Sequence, residues 1–133
     1  IMALAEPDYG GRIDYPQELE ILGHWQANSL HQEGANIESG RQLSNLFHLN
    51  GLQDIEVGVL GARWSAPLTA QAWESEWQML TYDLSHSIPP LADIESLNKL
   101  KETDHLAWTN GQRILFVPTF YAWGKVPENT RSV

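Results

Sequence analysis

Short apolar runs typical of β-strands alternate with longer helical patterns along this sequence, and their order restricts the possible folds more than any other property. Residues 1–5, 54–60 and 114–117 have strand patterns, and two helical patterns separate each neighbouring pair. The last run is apolar at every position, as expected for a strand that is covered on both faces. Strands connected by helices favour a layered α/β unit. We therefore predict a single α/β domain over residues 1–133.

Apolar residues at helical spacing predict four helices. Their expected bounds are about 16–34, 36–50, 69–84 and 91–109. The third helix carries one stripe that should face the core: Trp73, Trp77, Leu80 and Leu84. The fourth is expected to break near Thr103 and Asp104. Both tryptophans of the stripe are predicted to be core residues.

Turn and cap residues predict where these elements begin and end. Asn36 is suited to cap the second helix, and Ser65 or Thr69 the third. The segment 85–90 has the pattern of a loop. Pro118 cannot donate to a sheet ladder, so it predicts a bulge or the end of regular pairing in the last strand. That strand otherwise continues through Phe120, Tyr121 and Trp123.

Composition excludes several classes of function. The net charge is −9, which disfavours binding to nucleic acid and to an anionic membrane surface. The chain has no cysteine, so it forms no disulfide, thiolate metal site or thiol nucleophile. No apolar run approaches the length of a membrane span, and the N-terminus does not resemble a signal peptide. We expect a cytoplasmic protein.

The motifs of common independent sites are missing or weak. The sequence has no GxxxxGK[ST] or GxGxxG phosphate loop, no HExxH metal motif and no GxSxG nucleophile turn. Its five histidines are scattered, and His24 and His31 are predicted to be solvated residues of one helix. Gly10 and Gly11 are interpreted as a turn. The residues alone therefore predict no metal site, and they leave the catalytic residues unknown.

The segment that follows the first strand has the strongest pattern for a ligand site. In open α/β sheets, ligands bind beyond the carboxyl ends of the parallel strands. Glu6, Asp8 and Tyr9 would lie at that edge if the opening residues form a parallel strand. Carboxylates there could orient a substrate or accept a proton, or they could serve only the turn. A hydrolase or isomerase that uses Glu6 and Asp8 is one reading of this pair.

Three segments resemble class I S-adenosylmethionine-dependent methyltransferases of the small-molecule type. MALAEPDYGGRIDYPQEL is similar to their fifth strand and the loop after it. GRQLSNLFHLNGLQDIEVGVLG resembles the following helix and sixth strand, and RILFVPTFYAWGKV resembles the seventh strand. Residues 65–110 would then be a helical insertion between the last two strands.

The resemblance implies a fold and a set of site residues. The fold would be part of a three-layer, Rossmann-like sheet with flanking helices, made of the fifth to seventh strands. The last strand would run antiparallel between the other two, with residues 113–120 at the centre. The loop that faces the methyl acceptor in this family corresponds here to four candidate substrate-binding residues: Glu6, Asp8, Tyr9 and Tyr15.

The same resemblance implies a role that the chain cannot perform alone. The cofactor would be S-adenosylmethionine, and the methyl acceptor a small molecule. The glycine-rich loop and acidic residue that bind the cofactor in this family are not in these 133 residues, and the chain opens on an apolar strand. We therefore expect an inactive C-terminal, substrate-side fragment without cofactor-binding residues. The alternative is a stand-alone α/β binding or dimerisation module, in which copies pair through an exposed sheet edge.

Overall fold

The computed structural model describes residues 2–61, 69–87, 89–90 and 92–128. Its elements alternate as a mixed α/β fold. In chain order they are β1 (Met2–Pro7), β2 (Ile13–Tyr15), α1 (Glu20–Gln32), α2 (Ser39–Leu49), β3 (Gln53–Leu60), α3 (Ala70–His86), α4 (Ile94–Thr109), β4 (Ile114–Phe116) and β5 (Thr119–Lys125). Short 3-10 turns at Tyr9–Gly11 and Gln17–Leu19 precede β2 and α1.

The last strand lies at the centre of a three-stranded sheet of order β1–β5–β3. It is antiparallel to both neighbours, so β1 and β3 run parallel to each other on either side of it. The expectation that the last strand would run antiparallel between the other two is confirmed. The carboxyl ends of β1 and β3 consequently lie at the same edge of the sheet.

The expected position of the central strand, residues 113–120, is wrong. Ile114–Phe116 forms the separate strand β4, which pairs with β2 in a second, two-stranded antiparallel sheet. Only from Thr119 onward does the chain join the central sheet. Pro118 separates the two strands because it has no N–H to donate, while its carbonyl accepts a hydrogen bond from the backbone N–H of Asp8 at 2.7 Å.

Helix α2 covers one face of the three-stranded sheet, and we call α2 with β1, β3 and β5 the sheet region. Its core consists of Leu43, Phe47 and Ala122, with Phe120 packed beside them. Gly40 allows the closest approach, since a Cβ there would lie 2.7 Å from both the Glu6 carbonyl oxygen and a ring carbon of Phe120. The helix therefore lies almost directly on the backbone of β1.

The other three helices build a second core, and we call α1, α3 and α4 the helical region. Its buried side chains are Leu19, Leu22, Trp77, Leu80, Leu84 and Leu97. Trp77 is buried as predicted, and Trp73 packs half-buried against the same cluster. Within the part of the chain that the structure describes, no helix combines the length and apolar composition required to span a bilayer.

Several predicted element ends differ from the structure. Helix α3 continues through His86, and so includes the start of the segment 85–90 that was expected to be a loop. Helix α4 runs unbroken past Thr103 because Asp104 faces inward and is bonded there. Asn36 does not cap α2: its Oδ1 accepts from the N–H of Glu38, the residue that precedes the helix.

The remaining cap predictions divide between described and undescribed residues. Thr69 caps α3, and its hydroxyl accepts from the N–H of Ala72 at 3.2 Å. The alternative cap, Ser65, lies outside the described residues, and so does the expected strand residue Ile1.

Candidate functional site

The chain crosses the carboxyl edge of the central sheet immediately after β1. It passes through Asp8 and a 3-10 turn into β2, which pairs with β4 from the far end of the sequence. Tyr9 is fixed in this crossing by its N–H, which donates to the carbonyl of Ile37 at 2.8 Å. Because parallel strands of open α/β sheets present ligands at this edge, the crossing segment is where a site is expected.

Asp8, one of the four predicted site residues, is part of the loop's own bonding. Its side chain is only 2% exposed and pairs with Arg41, whose Nε and Nη2 donate at 2.5 and 2.8 Å. The N–H of Gly11 donates to the same carboxylate at 3.0 Å. The hydrogen bond from Arg41 is the main cause of a lowered pKa for Asp8. This carboxylate closes the turn and offers nothing free to a ligand.

Glu6, Tyr9 and Tyr15 are dispersed around the edge. The Glu6 carboxylate accepts from the hydroxyl of Ser39 at 3.3 Å and so ties β1 to α2. The Tyr15 side chain is 56% exposed, and its carbonyl accepts from Arg113 at 3.2 Å. Tyr9 is half-buried and lines two cavities. The structure therefore does not bring the four residues together, and Tyr9 is the one placed against a cavity.

A buried guanidinium connects the two-stranded sheet of β2 and β4 to the helical region. The side chain of Arg113 is 1% exposed. Its Nε donates to Asp104 of α4 at 2.5 Å, and its Nη2 donates to Asp14 of β2 at 2.7 Å. The second oxygen of Asp104 accepts from the indole N–H groups of Trp73 and Trp77, at 2.6 and 2.7 Å. Asp104 thereby holds α3, α4 and β4 at one point.

Arg12 extends this network toward α1. Its Nε and Nη2 donate to the two oxygens of Asp14 at 2.6 and 3.0 Å, and its Nη1 donates to the Gln26 side chain at 2.5 Å. The Arg12 side chain is 6% exposed. We call Arg12, Asp14, Asp104 and Arg113 the ionic network. Two positive and two negative charges cancel in it, which is what makes their burial tolerable.

A cavity of about 230 Å³ adjoins the ionic network. Its walls come from the first 3-10 turn and from α1, α3, α4 and β4, with Val117 in the connection between β4 and β5. Three tryptophans line it: Trp73, Trp77 and Trp108. Pockets for small molecules are typically apolar and aromatic with a few placed polar groups, and this cavity has that character.

A second, more polar groove shares Tyr9 and Arg12 with the lining of the aromatic cavity. It measures about 540 Å³, and its lining includes Asp14, His24 and Asn28. His24 is exposed on α1, in agreement with its interpretation as a solvated histidine. Asp14 and Arg12 are already paired with each other, so neither charge is free to bind a ligand in this groove.

Sequence reasoning missed the ionic network, although one signal for it was present. Leu97, Leu100, Asp104 and Ala107 follow inward-facing helical spacing along α4. A carboxylate at an inward position requires a buried partner. The partners, Arg113 and the two tryptophans of α3, are distant in sequence, so spacing along the chain could not identify them.

The described residues do not fit S-adenosylmethionine. Across residues 2–61, 69–87, 89–90 and 92–128, the carboxylates at the sheet edge that could bind ribose hydroxyls are engaged: Asp8 by Arg41, and Asp14 by two arginines. The aromatic cavity, at about 230 Å³, is smaller than the roughly 300–1,000 Å³ of pockets for drug-sized ligands, and in the larger groove Arg12 and Asp14 are already paired with each other. Over the same residues, no group of three or more potential ligands is arranged to hold a metal ion.

Comparison with known proteins gives no family for this chain. No protein-family model matches it, and no curated protein matches it significantly.

Proposed function

We propose that this chain forms the acceptor side of an S-adenosylmethionine-dependent methyltransferase that acts on a small molecule. One observation carries the proposal: β5 lies between β1 and β3 and is antiparallel to both. The resemblance in the sequence implies this arrangement of the last three strands, and an ordinary run of parallel crossovers does not produce it.

The position of the aromatic cavity supports the same proposal. It adjoins the segment that leaves β1 at the carboxyl edge of the sheet, where open α/β sheets present their ligands. Much of its wall comes from α3 and α4, the segment that corresponds to a helical insertion between the sixth and seventh strands. The insertion thus contributes the surface on which an acceptor would rest.

The sheet region leaves one face and, within the described residues, two strand edges, at β1 and β3, for further structure. Tyr121 projects on the face opposite α2, where its ring lies across Gly58 and its hydroxyl donates to Glu56 at 2.9 Å. Within the described residues, β1 pairs with β5 alone. We propose that residues outside these 133 extend the sheet beyond β1, complete a three-layer arrangement and bind the methyl donor. We place the enzyme in the cytoplasm, and the lack of cysteine in these 133 residues is compatible with a reducing compartment.

In this proposal the chain's own residues position the acceptor and keep water away from it. Holding two reactants in the correct orientation is a large part of enzymatic rate acceleration. Trp73 and Trp77 are held by Asp104, so the cavity wall is fixed before a ligand arrives. The chain by itself is expected to be inactive.

Titration calorimetry with S-adenosylmethionine tests the proposal. We expect no tight binding to the 133-residue chain and clear binding to the protein as its gene encodes it. Tight binding by the 133 residues alone would contradict the placement of the donor site. Absence of binding by the encoded protein would contradict the methyltransferase assignment itself.

The exposed edge of β1 favours one alternative, a binding module whose copies pair through this edge. An unpaired strand edge offers backbone donors and acceptors to a second chain. Sedimentation equilibrium of the 133-residue chain distinguishes the two: a concentration-dependent dimer supports edge pairing. A monomer across the concentration range contradicts pairing between copies. The β1 edge then remains available to the further strands of the methyltransferase proposal.

A further inference from the structure

We infer that the aromatic cavity binds a small, uncharged, planar aromatic molecule of one or two rings. The inference deepens the proposed function, on which it depends for calling this molecule the methyl acceptor. It concerns the cavity between α1, α3, α4 and β4, and it follows from the size, the walls and the charge of that cavity.

The volume of the cavity indicates the size of the ligand that it suits. The cavity measures about 230 Å³. An apolar protein cavity of roughly 150 Å³ accommodates benzene, whereas drug-sized ligands occupy roughly 300 Å³ or more. The volume therefore suits one aromatic ring with a substituent, or two fused rings.

The walls favour an aromatic ligand over an aliphatic one of equal size. Trp73 and Trp77 stand one helical turn apart on α3 with ring centroids 6.4 Å apart, and Trp108 contributes from α4. Aromatic rings attract one another in tilted and offset geometries beyond the effect of buried area alone. Aliphatic side chains complete the wall: Leu22, Leu80, Leu115 and Val117.

The polar groups of the wall favour an uncharged ligand. Arg12, Arg113 and Asp104 belong to the ionic network and already have charged partners in it. The N–H groups of Trp73 and Trp77 are both donated to Asp104, so neither indole N–H is free to bond a ligand. A charged ligand would lose its hydration without gaining a free partner from the network. Glu76, the remaining ionised residue of the wall, is exposed to solvent.

Binding is measured on the 133-residue chain by two-dimensional NMR of the tryptophan indole N–H signals. Phenol and indole are the aromatic probes, cyclohexanol is the saturated probe, and benzoate and benzylamine are the charged ones. We expect phenol and indole to shift the signals of Trp73, Trp77 and Trp108 and to leave that of Trp123, on the central sheet, in place. The other three probes are expected to bind at least about tenfold more weakly.

A matched pair of variants locates the binding. Val117→Phe fills the cavity and is expected to weaken indole binding by at least about tenfold. Val59→Phe adds the same atoms on the exposed strand β3, where Val59 is 42% exposed, and is expected to bind indole like the unchanged chain. Circular dichroism checks that both variants fold. If Val117→Phe does not fold, Val117→Leu replaces it, with a smaller expected loss.

Three results would overturn the inference. They are no binding of either aromatic probe, binding of benzoate or benzylamine as tight as that of phenol, and unchanged binding in a folded Val117→Phe variant. The outcomes for the cavity site and for the proposed methyltransferase function can be distinguished. Indole binding by a protein that fails to bind S-adenosylmethionine would retain the cavity site and reject methyl transfer. Methyl transfer that is unaffected by Val117→Phe would retain the methyltransferase assignment and reject the cavity as the acceptor site.

Discussion

Two contacts in the molecule differ in what stabilises them: the contact of α2 with the central sheet, and the contact of the helical region with β2 and β4. In the sheet region, α2 packs on β5 through a small apolar core of Leu43, Phe47 and Ala122. Where the helical region meets β2 and β4, four buried charges cancel one another instead. An apolar core tolerates changes of shape when volume is kept, whereas a buried ion pair tolerates neither loss of a partner nor displacement.

This difference is one reason why we place the proposed ligand site beside the ionic network. The sheet region consists of paired strands, and its edge strand β1 could pair with a further strand. The ionic network fixes the tryptophans of α3 relative to α4 and β4, and the cavity lies against those residues. The rigid, charge-paired boundary is therefore the part that we connect with function.

The largest expected effect comes from removing the central guanidinium. Arg113→Met leaves Asp14 and Asp104 buried without their shared partner, and we expect a loss of about 3–5 kcal/mol in the free energy of unfolding. Urea denaturation measures it. Lys125→Met, in the exposed pair with Asp54, is the control and should cost about 0–1 kcal/mol. Equal losses in the two variants would show that the ionic network is not what holds the helical region in place.

A smaller effect is expected in the sheet region from Gly40→Ala. Replacing glycine by alanine within a helix ordinarily stabilises it. Here the added Cβ would meet the Glu6 carbonyl oxygen and the Phe120 ring at 2.7 Å, so we expect a loss of about 1–3 kcal/mol. Asn45→Ala, on the exposed side of the same helix, should change stability by at most about 0.5 kcal/mol. Stabilisation by Gly40→Ala in thermal unfolding would mean that α2 does not lie so close to β1.

The smallest effect, and a pH-dependent one, is expected from Asp8→Asn. The pKa of Asp8 is lowered in the folded state, chiefly by the hydrogen bond from Arg41. Its contribution is therefore fully present above the unfolded carboxyl pKa of about 4 and is lost as pH falls through the lower folded pKa. We expect a cost of about 1 kcal/mol at pH 7, modest because Arg41 is 46% exposed.

Urea denaturation of this variant and the unchanged chain at pH 7, 4 and 3 follows the difference. It should shrink as pH falls below about 4. Asp54→Asn is the control, because Asp54 pairs with Lys125 at an exposed position. A difference that is constant or grows toward low pH would contradict the role given to the ionised Asp8.

The order of the helices and of the longer strands was predictable from sequence, but the pairing of β2 with β4 in a second sheet was not. No strand was predicted over residues 13–15. In the structure Ile13 and Tyr15 are exposed and Asp14 is buried. Asp14 can be buried because Arg12 and Arg113 neutralise it, and Arg113 is 99 positions away in the chain.

The candidate site was predictable only as a location. The carboxyl edge of β1 followed from strand order, and Tyr9 does reach the cavity there. Asp8 was chosen for its carboxylate, yet Arg41 and the turn's own N–H groups occupy it. Trp73 and Trp77 were predicted as core from their spacing. Their position beside a cavity depends on how α4 and β4 pack against α3, which local sequence patterns do not specify.

In our proposal, the helical region recognises the acceptor and residues elsewhere bind the donor. Steady-state methyl transfer by the encoded protein tests this division, with indole or phenol as acceptor and the Val117→Phe variant beside the unchanged protein. We expect a KM for the acceptor raised at least about tenfold, with an unchanged Kd for S-adenosylmethionine. An unchanged acceptor KM, or an equal loss of donor affinity, would contradict it.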